Sequence, residues 1–230
     1  MVRRARSEEN HDDSGPDGLI ETMRAEGGRI ALIELHAARL RASARELGFR
    51  FDEVRWRTTV ESVAEGADML KVRSLLHRDG TMEVSTDLLE PEKTLWRAVL
   101  SPYRIMSDDR YRQYKTTRRH LYDSERLRIL ALGYDEVIFL NELGECAEGS
   151  RTNIILVKDG KWITPPTAAG ALPGVFRRHL IETQGLKEGR VTPRDFETAA
   201  AVYLCNAVRG LIRAEISVAP EQPEEDVRST

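Results

Sequence analysis

Residues 136 to 157 read E-V-I-F-L-N-E-L-G-E-C-A-E-G-S-R-T-N-I-I-L-V. Two runs in this stretch, E-V-I-F-L-N and N-I-I-L-V, are apolar enough to be buried strands, and the turn residues N-E-L-G lie between them. Glu148 lies at the lip of the second run, where an unpaired carboxylate would be strongly unfavourable. The pattern therefore predicts a cationic partner for Glu148, either a nearby arginine or the protonated nitrogen of a bound heterocycle.

Helices and strands surround this stretch without a regular βαβ order. Upstream, the segment L-I-E-T-M-R-A-E-G-G-R-I-A-L-I-E-L predicts two strands about a Gly-Gly turn, and R-D-G at 78–80 predicts a second hairpin. A helix with Leu40, Ala44 and Leu47 on one face is expected to end at Gly48. Further helices are predicted over 52–64, with Val54, Val60 and Val63 on the apolar side, over 118–132, after Gly174, and from Thr192-Pro193. This mixture favours an α+β fold over a doubly wound sheet.

The stretch from 90 to 110 contains two prolines and an acidic pair, which suggests a domain boundary near its end. The expected organisation is a mobile tail at 1–17, an N-terminal domain at 18–108, a C-terminal domain at 109–220 and a mobile tail at 221–230.

Composition excludes several classes of function. The 230 residues carry 38 acidic and 35 basic side chains, so we expect no nucleic-acid partner. No apolar run approaches the roughly 20 residues of a membrane span, and no hydrophobic segment follows the basic start as in a secretory signal. Cys146 and Cys205 are isolated and the five histidines lack ligand spacing, so we expect a reducing cytoplasm and no metal.

Lysine is rare in this chain, with six lysines among 35 cationic residues. One of them, Lys115, lies in the arginine-rich run Y-R-Q-Y-K-T-T-R-R-H-L-Y-D at 111–123. An isolated lysine is usually solvated, but an amine that loses its proton can form an imine, which a guanidinium cannot. Two other segments can bind an anion: H-A-A-R-L, with Arg39 on the first turn of a helix, and L-P-G-V-F-R-R, where a helix begins after Gly174.

Each of these residues alone has an ordinary structural explanation. Together they supply an amine, a carboxylate for a pyridine nitrogen, and donors for a phosphate. These are the requirements of pyridoxal 5′-phosphate.

On these segments the chain resembles the class IV aminotransferase family, the fold type IV pyridoxal-phosphate enzymes, over residues 18 to 215. The runs L-I-E-T-M-R, L-H-A-A-R-L, E-G-S-R-T-N-I and Y-L-C-N-A-V-R-G carry the resemblance with the lysine and Gly174 segments. It implies two domains, a small α/β N-terminal one and a larger C-terminal mixed sheet or pseudobarrel. It also implies a homodimer.

The resemblance assigns roles to individual residues. It implies that Lys115 carries the cofactor as an imine and that Glu148 keeps the pyridine nitrogen protonated. The expected phosphate ligands are Arg39, the backbone N–H groups of Val175 and Phe176, and the Asn206-Ala207 turn. The expected substrate contacts are Thr22, Arg24 and Arg209.

The Asn-Ala-Val-Arg-Gly run resembles the 4-amino-4-deoxychorismate lyase branch of the family. That branch implies an elimination giving 4-aminobenzoate and pyruvate for folate synthesis, functionally coupled to an aminodeoxychorismate synthase. The alternatives are a transaminase of branched-chain or D-amino acids and a catalytically silent binding protein. Three positions depart from the commoner pattern: Arg118 replaces an asparagine, His120 a tyrosine and Phe176 a threonine.

Overall fold

The computed structural model describes residues 15–66, 68–91 and 93–218, which form a four-stranded sheet, an eight-stranded sheet and five α-helices. The strands are β1 Gly18–Glu26, β2 Arg29–Ile30, β3 Met69–His77, β4 Met82–Leu88, β5 Leu95–Ile105, β6 Glu136–Asn141, β7 Cys146–Gly149, β8 Asn153–Lys158, β9 Lys161–Thr164, β10 Lys187–Glu188, β11 Ala201–Asn206 and β12 Gly210–Val218. The helices are α1 Ile33–Leu47, α2 Glu53–Ser62, α3 His120–Ala131, α4 Val175–Thr183 and α5 Pro193–Thr198, with a 3₁₀ turn at Thr167–Ala169.

The first sheet has the order β2-β1-β3-β4 and is antiparallel throughout, so both predicted hairpins are confirmed. Successive side chains of a strand point to opposite faces. The face of β1 that carries Leu19, Glu21 and Met23 is buried, and the two apolar residues join a core cluster with residues of α1 and α2. The opposite face, with Ile20 and Thr22, lines a cavity.

The first two helices confirm most of the expected pattern. α1 ends at Gly48, whose φ of 72° is the left-handed conformation that glycine adopts easily. The helix begins earlier than expected: the residues from Ile33 onward were predicted to continue the second strand, but they are helical. In α2 the prediction that Val54 faces the core is wrong, because Val54 is 76% exposed. It lies in the first turn of the helix, which Asp52 caps, and the buried residues of this helix are Trp56 and Val60.

The second sheet has the order β10-β9-β8-β11-β12-β5-β6-β7 and contains parallel and antiparallel pairs. β5 pairs in parallel with both β12 and β6, while β8 and β11 are antiparallel. All six residues of β6 are buried, as the apolar run predicted. The mixed sheet and the five helices give the α+β, two-domain architecture that the sequence predicted.

The chain passes from the first sheet to the second between β4 and β5. β5 was not predicted from the sequence, and the predicted boundary after residue 108 lies beyond this strand. The sheet changes earlier because β5 forms its hydrogen bonds with β12 and β6. The division into 18–108 and 109–220 stays a prediction. The predicted tails at 1–17 and 221–230 lie outside the described residues except for residues 15–17.

No helix in the described ranges combines the length and apolarity that crossing a membrane requires.

Candidate active site

A cavity of about 650 Å³ lies between the two sheets and is lined by both. Ten of its lining residues are cationic and four are acidic, which suits an anionic ligand. The cationic residues are Arg39, Lys71, Arg73, Arg112, Lys115, Arg118, Arg119, Arg126, Arg151 and Arg209. The acidic residues are Glu90, Asp109, Asp123 and Glu148.

Lys115 lies in the segment between β5 and α3, at the point where this segment contacts the start of β1. Its carbonyl oxygen accepts a hydrogen bond from the Ile20 N–H at 2.7 Å, and the Thr117 N–H donates to the Gly18 oxygen at 3.1 Å. The Thr117 hydroxyl in turn accepts from the Gly18 N–H at 3.2 Å. These three bonds join the backbone at Lys115 and Thr117 to the start of β1, so the Lys115 side chain enters the cavity from a fixed backbone.

The amine of Lys115 has a strongly altered proton affinity. Burial, with the neighbouring positive charges of Arg119 and Arg39, lowers its pKa from 10.5 to about 7, although Glu21 and Glu148 oppose the shift. A large fraction of the amine is therefore neutral at neutral pH, which is the form that attacks carbonyl groups.

Glu148 lies on β7 and is 8% exposed. Its Oε1 accepts a hydrogen bond from the Tyr122 hydroxyl at 2.8 Å, and its Oε2 accepts one from the Leu172 N–H at 2.9 Å. Burial raises its pKa, while these two bonds and the charges of Arg112 and Arg119 oppose the rise. The two partners are neutral donors, so a carboxylate lining the cavity is left to meet a cationic group of a ligand.

Arg39 lies on α1 and lines the cavity. Its guanidinium binds Glu21 through Nε at 2.8 Å and Nη2 at 2.7 Å. Its Nη1 approaches the Pro173 oxygen at 3.5 Å, directly before the N-terminus of α4. The predicted cation and the predicted helix end therefore lie side by side.

The N-terminus of α4 begins at Gly174, the N-cap residue, as the sequence predicted. The first N–H groups of a helix have no acceptor within it. Gly174 is required by space, because a Cβ there would lie 2.0 Å from Oδ1 of Asn153. Val175 lines the cavity and Phe176 does not; the Phe176 ring packs by Gly210 instead, 3.6 Å from the position that a Cβ there would occupy.

The β11–β12 turn forms another part of the wall, and Asn206, Ala207 and Arg209 all line the cavity. The Asn206 side chain stabilises the turn by accepting from the N–H groups of Val208 and Arg209 at 3.0 and 2.8 Å. Arg209 reaches across to the first-sheet side, where its Nη1 donates to the Glu90 oxygen at 2.6 Å.

Of the two predicted substrate residues on β1, Thr22 lines the cavity and Arg24 does not. Arg24 pairs instead with Glu26 at 3.0 Å. The adjacent strand β3 contributes Lys71 and Arg73, which face the cavity beside Thr22 and were not singled out from the sequence.

Several residues of the site were missed by sequence reasoning. Tyr122 binds Glu148 and lies under the guanidinium groups of Arg112 and Arg119, at 5.1 and 5.6 Å from the ring centre. His120, singled out from the sequence, is exposed and lies outside the cavity lining. The only sequence signal for Tyr122 is helical spacing, since it faces the sheet from the first turn of α3.

Within the described residues no cluster of three or more acidic, His or Cys side chains could hold a metal.

The family model described as amino-transferase class IV matches residues 18–215. Among curated proteins, the chain is 25% identical over 218 residues to a Schizosaccharomyces pombe protein provisionally named an aminodeoxychorismate lyase, covering 89% of this chain and 91% of that one.

Solved structures are also similar over most of the chain. A Mesorhizobium loti protein provisionally named an amino-acid aminotransferase matches with a TM-score of 0.82 and 34% identity, over 87% of this chain and 99% of that one. A Legionella pneumophila protein provisionally named a 4-amino-4-deoxychorismate lyase matches with a TM-score of 0.80 and 22% identity, over 88% and 83% of the two chains, and shows the shared fold.

Proposed function

The chain belongs to the amino-transferase class IV family of pyridoxal-phosphate-dependent lyases and aminotransferases, and from this premise we propose that it is a 4-amino-4-deoxychorismate lyase. The observation that carries the proposal is the convergence of Lys115, Glu148 and the Arg39–α4 anion site on one electropositive cavity.

The residues of the cavity fit the cofactor. When bound, pyridoxal 5′-phosphate supplies an aldehyde that joins to amines and a pyridinium ring that accepts the electron pair of a broken bond. Lys115 offers an amine of which a large fraction is neutral at neutral pH, since its pKa is about 7. Glu148 offers a carboxylate at a buried wall, and Arg39 with the α4 N-terminus offers donors for a phosphate.

We assign Lys115 two tasks. Its amine would hold the cofactor, and as a free amine it would take the proton from the carbon that carries the substrate nitrogen. The hydrogen bond between the Lys115 oxygen and the Ile20 N–H fixes the backbone at Lys115, which keeps the amine within the cavity for both tasks.

Glu148 is assigned to the protonated ring nitrogen. Each of its oxygens accepts one hydrogen bond from the protein, which leaves lone pairs for a cationic donor. A carboxylate in this buried position stabilises positive charge on the ring more strongly than one in water would.

The phosphate is assigned to Arg39, to the N–H groups of Val175 and Phe176, and to the Asn206-Ala207 turn. Helix N-terminal N–H groups and a guanidinium are a recurrent combination for phosphate.

The lyase is favoured by two observations. The curated relative that matches along most of both chains carries the lyase name. Lys71, Arg73 and Arg209 give the cavity cationic groups beyond those assigned to the cofactor, which suits a substrate with more than one carboxylate. Thr22 lies beside them and is a further substrate contact in this proposal.

The reaction balances without a second substrate. The amine-bearing carbon loses its proton, and the electron pair left behind expels the enolpyruvyl oxygen from the adjacent carbon, which breaks that C–O bond. The enolpyruvyl group then leaves and takes up a proton as pyruvate, and the ring becomes the aromatic 4-aminobenzoate. A transaminase of branched-chain or D-amino acids is the second candidate, favoured by the 34% identity to the M. loti protein.

A product assay separates the two candidates. The purified protein, loaded with cofactor, is incubated with aminodeoxychorismate and no keto acid, and pyruvate and 4-aminobenzoate are measured. The lyase gives equimolar products and Lys115→Arg gives neither. A parallel reaction contains branched-chain or D-amino acids with 2-oxoglutarate. Amino-group transfer there, together with no pyruvate release from aminodeoxychorismate, would identify the transaminase instead. A protein that stays colourless with added cofactor would support a silent binding role.

The wider setting follows from the same proposal. We propose a cytoplasmic homodimer that acts on the product of an aminodeoxychorismate synthase in folate synthesis. Light scattering of the purified protein tests the dimer, and a mass equal to one 26.1 kDa chain would contradict it.

A further inference from the structure

A buried carboxylate lies directly behind Arg39. Glu21, on β1, is 1% exposed and accepts both Nε and Nη2 of Arg39, at 2.8 and 2.7 Å. Its Oε2 also receives Nδ1 of His36 at 2.6 Å, and His36 is fully buried. The three side chains form a cluster that none of the assigned roles uses beyond Arg39 itself.

The bidentate contact decides which part of Arg39 is available to a ligand. Glu21 occupies the Nε edge of the guanidinium, so the plane and the rotation of the group are both fixed. The remaining Nη1 then points towards Pro173, the residue before the α4 N-terminus. A cation held in this way lies beside the start of α4, and Arg39 and Val175 line the same cavity.

We propose that Glu21 and His36 are positioning residues of the phosphate site, which hold the Arg39 guanidinium against the N-terminus of α4. The inference rests on the proposed function, since it takes the bound anion to be the cofactor's phosphate.

Stability alone does not account for the cluster. Desolvation of a buried ion pair offsets much of its attraction, so such pairs contribute little net stability, whereas they can fix one geometry. An unheld arginine would lose its side-chain freedom when it bound an anion, and this loss weakens affinity. Arg39 has already lost that freedom to Glu21, so the anion site is preorganised.

His36 completes the arrangement from the same helix. It precedes Arg39 by three residues, so both side chains lie on one face of α1. The Glu21 carboxylate is ionised, with a pKa lowered to about 2 because the bonds and charges of Arg39 and His36 outweigh burial. Nδ1 of His36 therefore carries a hydrogen and donates a hydrogen bond to Oε2 of Glu21. Nε2 of His36 has no partner among the described residues.

The test compares ligands with and without the phosphate. Dissociation constants of pyridoxal 5′-phosphate, pyridoxal and inorganic phosphate are measured for the cofactor-free protein and for Glu21→Gln. Glutamine keeps the shape but places an N–H₂ group against a donor of Arg39 or His36. We expect the affinity for pyridoxal 5′-phosphate and for inorganic phosphate to fall roughly tenfold or more, because a charge-assisted bond that holds Arg39 is lost. The affinity for pyridoxal should change less than about twofold, as expected when the ring contacts are untouched.

A matched pair of variants covers the case in which Glu21→Gln does not fold. In His36→Asn the amide nitrogen can replace Nδ1 as donor to Glu21, whereas His36→Leu removes the donor. The preference for pyridoxal 5′-phosphate over pyridoxal should fall in His36→Leu and be largely restored in His36→Asn.

Two outcomes overturn the inference: an equal loss of affinity for all ligands, which would show a general structural role, or an unchanged preference in Glu21→Gln and His36→Leu. Failure of the proposed function is distinguishable from both outcomes, because it is seen in the unaltered protein, which would then release no pyruvate from aminodeoxychorismate or would not bind pyridoxal 5′-phosphate at all.

Discussion

At the scale of single residues, the proton affinity of Lys115 controls when the site can react. Its pKa of about 7 results from burial and from the adjacent arginines, so the neutral amine dominates just above neutral pH. A surface lysine would need far more alkaline conditions.

We expect the rate at which the cofactor-free protein attaches pyridoxal 5′-phosphate to rise with pH and level off above a midpoint near 7. The sign follows from the chemistry, because only the deprotonated amine attacks the aldehyde. The rate is measured in a stopped-flow instrument from the appearance of the absorption band of the imine between the cofactor and Lys115.

Lys71→Arg is the control for the pH profile, because Lys71 lines the same cavity but lies on β3 and pairs with Asp87 at 2.7 Å. Its midpoint should equal that of the unaltered protein. A rate that continues to rise towards the ordinary lysine value of 10.5 would contradict the account.

The sequence revealed the residues whose chemical type is unusual in its context. Lys115 is a lysine among arginines, and Glu148 is a carboxylate beside an apolar run. Their partners could not be read in this way: Tyr122 lies 26 residues from Glu148 along the chain, and Glu21 lies 18 residues from Arg39. Which side chains meet across such distances is decided by the packing of α3 and α1 on the sheets.

At the scale of elements, the start of α4 depends on the absence of one side chain. Gly174 has a φ of −63°, which any residue can adopt, so its backbone does not require glycine. The requirement comes from Asn153 on β8, whose Nδ2 donates to the Leu172 oxygen at 2.9 Å and whose Oδ1 fills the space beside Gly174.

We expect Gly174→Ala to lower stability by about 1–3 kcal/mol through overpacking and to weaken binding of pyridoxal 5′-phosphate, since the first turn of α4 must shift. Urea unfolding and cofactor titration measure the two effects. The double variant Gly174→Ala/Asn153→Ala removes the colliding atom and should recover part of both losses. Equal losses in the single and double variants would show that the collision is not the cause.

Local signals predicted elements well where the cause is local. The hairpin turns, the Gly48 cap and the Thr192 capping box are each set by neighbouring residues, and all are present. β5 and β7 were missed because their pairing partners are distant or irregular: β5 joins β12, more than 100 residues later, and β7 meets β6 across a register shift.

At the scale of the whole molecule, the cavity between the sheets couples ligand binding to folding. Its walls come from β1 and β3 on one side and from β7, α4 and the β11–β12 turn on the other. A ligand that bridges these walls binds only the folded chain and therefore stabilises it.

We expect saturating pyridoxal 5′-phosphate to raise the free energy of unfolding by about 2.7 kcal/mol at a hundred times its dissociation constant. Differential scanning calorimetry measures the accompanying rise in Tm. Pyridoxal at the same concentration should give a smaller rise because it lacks the phosphate. Equal shifts with both ligands would argue against an anion site at Arg39 and α4.

Lys115, as the point of cofactor attachment, is the residue on which the proposed chemistry depends most. The measurement that tests this most directly is borohydride reduction of the cofactor-loaded protein, followed by peptide mapping by mass spectrometry. We expect one reduced adduct, on Lys115, retained in Lys71→Arg and lost in a folded Lys115→Arg. An adduct on another lysine, or a reducible adduct that persists in Lys115→Arg, would contradict the account.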